Sequence, residues 1–274
     1  MSKLSPLAIV KRTPMNNCGQ CGHLTCLAFG AAVVKTGISL HLCPFIDVTG
    51  LDYDPSAVAP AMDQEAKDLE FIASLKEKIR LFDLPRLAPR LGAVSKAGAP
   101  DTLFFRYLGQ EVSLSKTALL IDQCPPEDPR DQILLYNYVA SQGGQPPAAD
   151  WIGMESLPNS ISKIKTLATY CETRLASLLA ERPVEEIMAA LHLMDGAAAP
   201  NPSADLAAMV PVLPRVPQCL LFWAAAPEDN FAAQVKVLFD RQVLTYLDLE
   251  SLVFSAERLA DRLTALLTPL RHTS

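Results

Sequence analysis

The sequence has no apolar run long enough to cross a membrane and no block of basic residues. A transmembrane helix needs about 18 consecutive apolar residues, and the longest uncharged stretch, residues 13–34, contains Asn, Gln, Gly and Cys. Because the net charge is −6, we expect no nucleic-acid binding. Residues 1–14 carry a short apolar patch without a small-residue cleavage site, so we expect no secretory signal and a cytoplasmic location.

The chain also lacks the short motifs that mark common enzyme families. It has no glycine-rich phosphate loop, no G-x-G-x-x-G fingerprint, no G-x-S-x-G nucleophile elbow and no H-E-x-x-H zinc motif. A non-enzymatic redox or binding protein is therefore favoured over an enzyme.

What the chain does contain is enough apolar material for a folded core. Half of its 274 residues are hydrophobic and 20% are charged, which excludes wholesale disorder. Prolines and the change in composition predict three parts. These are a small module at 1–50, a connector with a helix at 51–83, and a larger domain at 84–274.

Four of the seven cysteines fall within 26 residues, with the spacing C-x2-C-x4-C-x16-C. An odd number of cysteines in a chain without a secretory signal argues against a disulfide framework. Clustered reduced thiols in such a protein most often share a metal or an iron–sulfur cluster. The candidate ligands are Cys18, Cys21, Cys26 and Cys43.

The sequence around these cysteines favours a [4Fe–4S] cluster. Gly19 and Gly22 allow left-handed backbone conformations close to the sulfur atoms, and Cys26 stands at the start of a predicted helix, where an anion is favoured. Residues 1–50 carry a net charge of +3, which suits an anionic centre. Zinc held by four thiolates is the alternative, although such sites usually pair two short C-x2–4-C knuckles.

The segment NNCGQCGHLTCLAFGAAVVKTGISLHLCP resembles the small four-cysteine module of the corrinoid/iron–sulfur protein large subunit and of the B subunit of Rnf-type electron transport complexes. The resemblance implies that Cys18, Cys21, Cys26 and Cys43 bind a [4Fe–4S] cluster. Residues 100–270 look like a domain of unknown function that follows this module in anaerobes, which brings no known activity.

The pattern of the whole chain predicts an α+β fold, in which a small helical iron–sulfur module precedes a larger mixed domain. A short helix is expected between Ser5 and Pro14, and residues 196–218 are expected to be irregular. A hairpin is expected from Thr102–Leu108 and Glu111–Leu114, turning at Gly109-Gln110. Further helices are expected at about 26–35, 63–82, 131–141, 160–180, 183–194 and 255–270, and strands at 219–223, 235–239 and 243–247.

Several other residues could carry chemistry, but ordinary roles are expected for them. Histidines of the module are expected to be loop residues facing solvent, the scattered cysteines to be small apolar residues, and the acids near the late strands to be solvated. These residues are His23, His41, Cys124, Cys171, Cys219, Glu228, Asp229 and Asp240.

Three functions are compatible with the sequence. The first is single-electron transfer to or from a redox or docking partner protein, with a corrinoid-related protein among the candidates. The second is a binding or assembly module in which the cluster only holds residues 1–50 folded. The third is an enzyme with its site in the larger domain, which a large pocket of converging polar groups would favour.

Overall fold

The computed structural model of the chain describes residues 5–23, 25–36, 38–49, 64–226, 228 and 230–268. The chain divides into two units, Met1–Glu70 and Phe71–Ser274, and each is described by itself. None of the described helices is long and apolar enough to cross a lipid bilayer.

The small unit is built around two helices, α1 (Pro6–Val10) and α2 (Cys26–Thr36). The predicted start of α1 is confirmed, because Ser5 caps it by accepting a hydrogen bond from the Ala8 backbone N–H at 3.2 Å, and Pro6 lies in its first turn. A 3-10 turn at Leu40–Leu42 follows α2. The core of this unit is small and consists of Ile9, Phe29, Val33, Leu40 and Cys43.

Helices α1 and α2 approach each other closely at Gly30. A Cβ atom at this position would lie 2.7 Å from the carbonyl oxygen of Pro6 and 3.3 Å from a methyl carbon of Val10. No side chain fits without moving the backbone of α1, so glycine at this position allows the two helices to pack closely.

Two antiparallel sheets run through the described part of the large unit, with strand orders β1-β2-β3-β4 and β5-β9-β8-β7-β6. Helices and antiparallel sheets together confirm the predicted α+β class, with a helical N-terminal region before the larger domain. The strands are β1 Val94–Lys96, β2 Ala99–Tyr107, β3 Gln110–Ser115, β4 Leu119–Ile121, β5 Trp151–Ile152, β6 Ala197–Ala198, β7 Leu206–Leu213, β8 Val216–Trp223 and β9 Gln234–Asp240.

The predicted hairpin is present, but its turn lies one residue earlier than expected. Tyr107 pairs with Gln110, so Leu108 and Gly109 form a two-residue turn in which both have positive φ angles, 49° and 78°. Leu108 accepts this strained conformation because its side chain is buried and its backbone N–H donates to the Val212 carbonyl oxygen.

The prediction of irregular structure over 196–218 is wrong. This segment holds β6, β7 and the first residues of β8. Pro211 lies opposite Pro217 where the register of the two strands shifts, so the missing N–H groups fall at an irregularity of the ladder. Alanine and proline composition indicated a loop, whereas burial between neighbouring strands decides the conformation.

The predicted strand at 243–247 is also wrong, because Val243–Thr245 is a 3-10 turn. Val243, Tyr246 and Leu247 are buried, and their i, i+3, i+4 spacing is that of one helical face. A short apolar run of this kind does not distinguish strand from helix by itself.

The remaining helices cover the sheets and complete one large core, which includes buried residues of α3 from Ile72 onward. Asp248 caps the last helix, which therefore begins six residues before the predicted start, and it accepts a hydrogen bond from the Ser251 backbone N–H at 2.7 Å. The predicted helix over 160–180 is interrupted by a π turn at Ala168–Glu172. The helices are α3 Gln64–Arg80, α4 Leu84–Leu87, α5 Pro129–Ala140, α6 Ile161–Leu167, α7 Thr173–Leu179, α8 Val184–His192 and α9 Leu249–Leu267.

Candidate metal centre

The loop that carries the first two candidate ligands is folded by four left-handed residues. These are Met15, Asn17, Gly19 and Gly22, with φ angles between 50° and 80°. The Gly22 backbone N–H donates to the Gly19 carbonyl oxygen at 2.9 Å and closes a turn around Cys21. A Cβ atom at either glycine would meet no heavy atom within 4 Å, so the left-handed conformation is what favours glycine here.

The loop is tied to the start of α2 by the side chain of Asn17. Its Oδ1 accepts a hydrogen bond from the Cys26 backbone N–H at 2.9 Å. The hydroxyl oxygen of Thr25 accepts a second one from the Ala28 backbone N–H at 3.0 Å. Two N–H groups at the helix start are thereby satisfied, and the bond from Asn17 holds the chain next to Cys18 beside Cys26.

The four cysteines occupy different environments, and none forms a disulfide. Cys18 is exposed, Cys21 is half-buried, and Cys26 and Cys43 are buried. Cys43 belongs to the small apolar core, and Cys21 packs against that core. The structure therefore brings Cys21 and Cys43 to the same apolar core and places Cys26 at the first turn of α2.

Hydrogen bonds around Cys26 favour its thiolate form. The side chain of Thr13 is the largest influence that lowers the pKa of the Cys26 thiol, and the backbone N–H groups of Asn17 and Met15 act in the same direction. These donors outweigh the opposing effect of burial. A thiolate is the form that binds metal, and the role of Cys26 as a ligand stays a prediction.

The donor set fits an iron–sulfur cluster chemically, since all four side chains are free cysteine thiols. In the part of the chain that the structure describes, which includes all four, no three His, Cys, Asp or Glu side chains stand close enough to hold a metal ion. A [4Fe–4S] core holds its thiolates farther apart than a single ion does, so this finding concerns a lone metal ion and not a cluster.

The supporting roles of Thr13 and Asn17 were not anticipated from the sequence. Asparagine adopts the left-handed conformation more readily than most residues, so its place directly before Cys18 was a usable signal. Thr13 offered no such signal, because its influence on the pKa of Cys26 arises only once the loop has folded.

The other candidate residues are largely structural. Cys171 and Cys219 are buried, as expected of small apolar residues, and burial raises the pKa of both thiols. The expectation fails for Cys124, which is exposed. Asp240 was expected to be solvated, and this is wrong. Its side chain is 1% exposed and accepts hydrogen bonds from the backbone N–H groups of Ala148 and Gln242.

The two histidines of the module differ in exposure. His23 lies in the loop, as expected, but it faces solvent only in part, because it is half-buried and its ring centroid lies 5.8 Å from that of Phe29. His41 is exposed, as expected. Glu228 is exposed, and Asp229 lies outside the described residues.

Replacing Asn17 by alanine should weaken the module. The change removes the hydrogen bond to the Cys26 N–H and places alanine at a φ of 50°, with a combined cost of about 2 kcal/mol. We expect iron to pass from the anaerobically purified variant to a chelator about thirtyfold faster than from the unaltered protein, which visible absorbance would follow.

The matched control for this change is Asn16→Ala. Asn16 Oδ1 also accepts a hydrogen bond from a cysteine N–H, that of Cys18 at 3.3 Å, but Asn16 is not left-handed. Asn17→Gly keeps the backbone conformation and should lie between the two. Equal rates for all three variants would contradict the role assigned to Asn17.

Comparison with known proteins assigns both parts of the chain to families. Residues 14–45 match the family model described as "Putative Fe-S cluster". Residues 83–262, about two thirds of the chain, match the domain of unknown function DUF3786. The chain belongs to the DUF3786 family. In this member the DUF3786 domain follows an iron–sulfur module.

One curated relative supports the assignment of the module. The chain is 39% identical over 57 residues to the corrinoid/iron–sulfur protein large subunit of Moorella thermoacetica. The match covers 21% of this chain and 13% of that relative. No solved structure matches the chain. The predicted resemblance is thus confirmed for the module and for the domain that follows it, and the chain is an iron–sulfur protein.

Proposed function

We propose that this protein transfers single electrons to or from a partner protein through a [4Fe–4S] cluster bound by Cys18, Cys21, Cys26 and Cys43. The observation that carries the proposal is the set of four free thiols on one short segment that matches an iron–sulfur family. Such a cluster supplies one-electron chemistry when it is bound. Seven free cysteines also suit the reducing cytoplasm, which is the location we propose.

The exposure of the ligands supports an electron-transfer role. Cys18 is exposed and Cys21 is half-buried, so a cluster held by them would lie close to the protein surface. A partner could then approach it closely. Exposed apolar side chains offer contacts for such a partner. Those within residues 5–49 that are about half exposed or more are Leu7, Met15, Leu27, Leu42 and Phe45.

The relative's name makes a corrinoid-related partner a reasonable first candidate. The module matches a corrinoid/iron–sulfur protein subunit, and the match is confined to 13% of that relative. We therefore propose an electron-transfer partner of this class on the basis of the module alone.

A structural role for the cluster is the second candidate function, and the small core favours it. Five buried apolar residues support the described part of the small unit. A segment with so little core gains much of its stability from bound metal. In this case the cluster would hold the module folded while the protein binds a partner.

An anaerobic redox titration separates the two functions. The protein should be purified without oxygen and should contain about four iron and four sulfide per chain. If the cluster transfers electrons, its EPR signal should appear and disappear reversibly within the range of about −700 to +450 mV that such clusters span. Far-UV circular dichroism at both ends of the titration would check that the fold is intact.

Two results would overturn the electron-transfer proposal. A colourless protein with zinc in place of iron would remove the cluster itself. A cluster that is present but does not change its oxidation state reversibly anywhere in that range would leave only the structural role.

A further inference from the structure

The DUF3786 domain contains a cavity of about 440 Å³ that the iron–sulfur module does not explain. It lies between the β2–β3 turn, the loop after β4 and helix α9. Ligand pockets in proteins commonly measure about 300–1,000 Å³, so this cavity can hold a small organic molecule. Its walls combine charged side chains with apolar ones.

One wall is a network of arginines and acids whose charges are already paired. Arg258 holds Asp131 through two hydrogen bonds of 2.7 Å, and the Tyr107 hydroxyl donates to the same carboxylate at 2.6 Å. Arg258 also contacts Asp128 at 3.1 Å and Asp261 at 2.8 Å. These carboxylates are therefore partners of the protein's own arginines.

The ionisation of this wall follows from its contacts. Burial opposes the charge of Asp128 and of Asp261, but hydrogen bonds from neighbouring arginines outweigh it and hold the pKa of both carboxyls below the usual value. Burial and the charge of Asp131 raise the pKa of Tyr107, which stays protonated and donates. In this wall Asp128, Asp131 and Asp261 are thus each paired with at least one arginine of the protein.

Arg262, which lines the same cavity, is different. Within the described residues its guanidinium makes no hydrogen bond or ion pair, and its Nε is buried. The charge of Arg262 contributes to the lowered pKa of Asp122, but the Asp122 carboxylate accepts its hydrogen bonds from Gln110 Nε2 and the Glu111 backbone N–H. The terminal nitrogens of this guanidinium are not buried, so they remain available to a molecule bound in the cavity.

The remaining lining residues indicate what else the molecule contains. Leu108, Ile121, Pro125 and Ala265 provide an apolar surface in the same cavity. A guanidinium has the planar, forked geometry that matches a carboxylate. One unpaired cation beside an apolar surface suits a molecule with one acidic group and a hydrocarbon body.

We propose that this cavity binds a small organic carboxylate, with its acidic group on Arg262 and its hydrocarbon part against Leu108, Ile121 and Pro125. The site belongs to the DUF3786 domain and does not depend on the proposed electron transfer. It also provides the converging polar pocket that the third hypothesis, an enzyme in this domain, requires.

Calorimetric titration of the full holoprotein with 4-phenylbutyrate tests this site. The neutral isostere 4-phenylbutanamide and inorganic phosphate are the comparison ligands. We expect saturable binding of the carboxylate at millimolar or lower concentration, and binding at least about tenfold weaker for the amide, which lacks the charge. Phosphate should also bind more weakly, because it makes no use of the apolar wall.

Variants of charged residues in the same cavity should differ in their effects. Arg262→Gln should weaken carboxylate binding at least about tenfold, whereas Glu127→Gln should leave it unchanged or strengthen it, because Glu127 lines the cavity and repels an anion. Arg262→Lys should be intermediate. Arg86→Gln, a change at an arginine whose side chain is 87% exposed, is the neutral control.

The proposal is overturned by any of three outcomes. One is no saturable binding of 4-phenylbutyrate at millimolar concentration. The second is equal binding of the carboxylate and the amide. The third is binding unaffected by Arg262→Gln in protein whose tryptophan fluorescence shows an intact fold.

Discussion

Serine in place of Cys26 or Cys43 should remove the cluster and unfold the module, with iron falling from about four to below one per chain. Serine oxygen is a far poorer ligand for iron than thiolate sulfur. Cys43 also belongs to the five-residue apolar core of the small unit, so its replacement weakens that core as well. Because so small a core contributes little stability, loss of the cluster should be followed by loss of the fold.

This effect should be confined to the small unit. Trp151 and Trp223 are the two tryptophans of the chain, and both lie in the large unit. Their fluorescence should therefore be unchanged in the cysteine variants, while limited proteolysis should cut rapidly within residues 1–70. Iron and sulfide content, together with the proteolysis pattern, provide the measurement.

The matched control is Cys124→Ser, a change at an exposed cysteine of the large unit. It should keep full iron content and a protected small unit. If Cys26→Ser or Cys43→Ser retained a full complement of iron, the proposed ligand set would be wrong. If iron were lost but proteolysis unchanged, the cluster would not be what stabilises the module.

Asp131→Ala should destabilise the large unit by about 3 kcal/mol. Asp131 is 5% exposed and accepts two hydrogen bonds from Arg258 and one from the buried Tyr107 hydroxyl. Its removal leaves part of the Arg258 guanidinium and the Tyr107 hydroxyl without an acceptor. Removing one partner of a buried pair costs more stability than replacing both partners by apolar side chains.

A double variant separates the two contributions. Asp131→Ala with Arg258→Met removes both charges and replaces the guanidinium by an apolar side chain, so it should recover part of the lost stability. The measurement is guanidinium unfolding followed by tryptophan fluorescence, which reports on the large unit. A double variant no more stable than Asp131→Ala would show that the unsatisfied N–H groups of Arg258 are not the cause.

A surface pair provides the comparison for this effect. Asp150 pairs with Arg241, and the side chains are 51% and 56% exposed. Asp150→Ala should cost no more than about 1 kcal/mol, because water screens and replaces the interaction. Equal losses for the buried and exposed pairs would contradict the importance of burial in the Asp131 network.

Local patterns were enough to predict much of the fold. The serine cap and proline of α1, the apolar stripe of α3 and the alternation of β9 each operate within a few residues, so the sequence shows them directly. The predictions failed at β7, where composition indicated a loop, and at Val243–Thr245, where a short apolar run indicated a strand. In both places tertiary packing determines the conformation.

The sequence by itself determined that the chain carries an iron–sulfur module ahead of an α+β domain. It could do so because the four cysteines and the glycines between them lie within 26 residues, and ligand spacing over so short a distance is a local property. Only the tertiary structure joined Arg258 to Asp131 and left Arg262 unpaired beside them. Asp131 and Arg258 are separated by 127 residues, and no local pattern specifies which side chains a fold will bring together across such a distance.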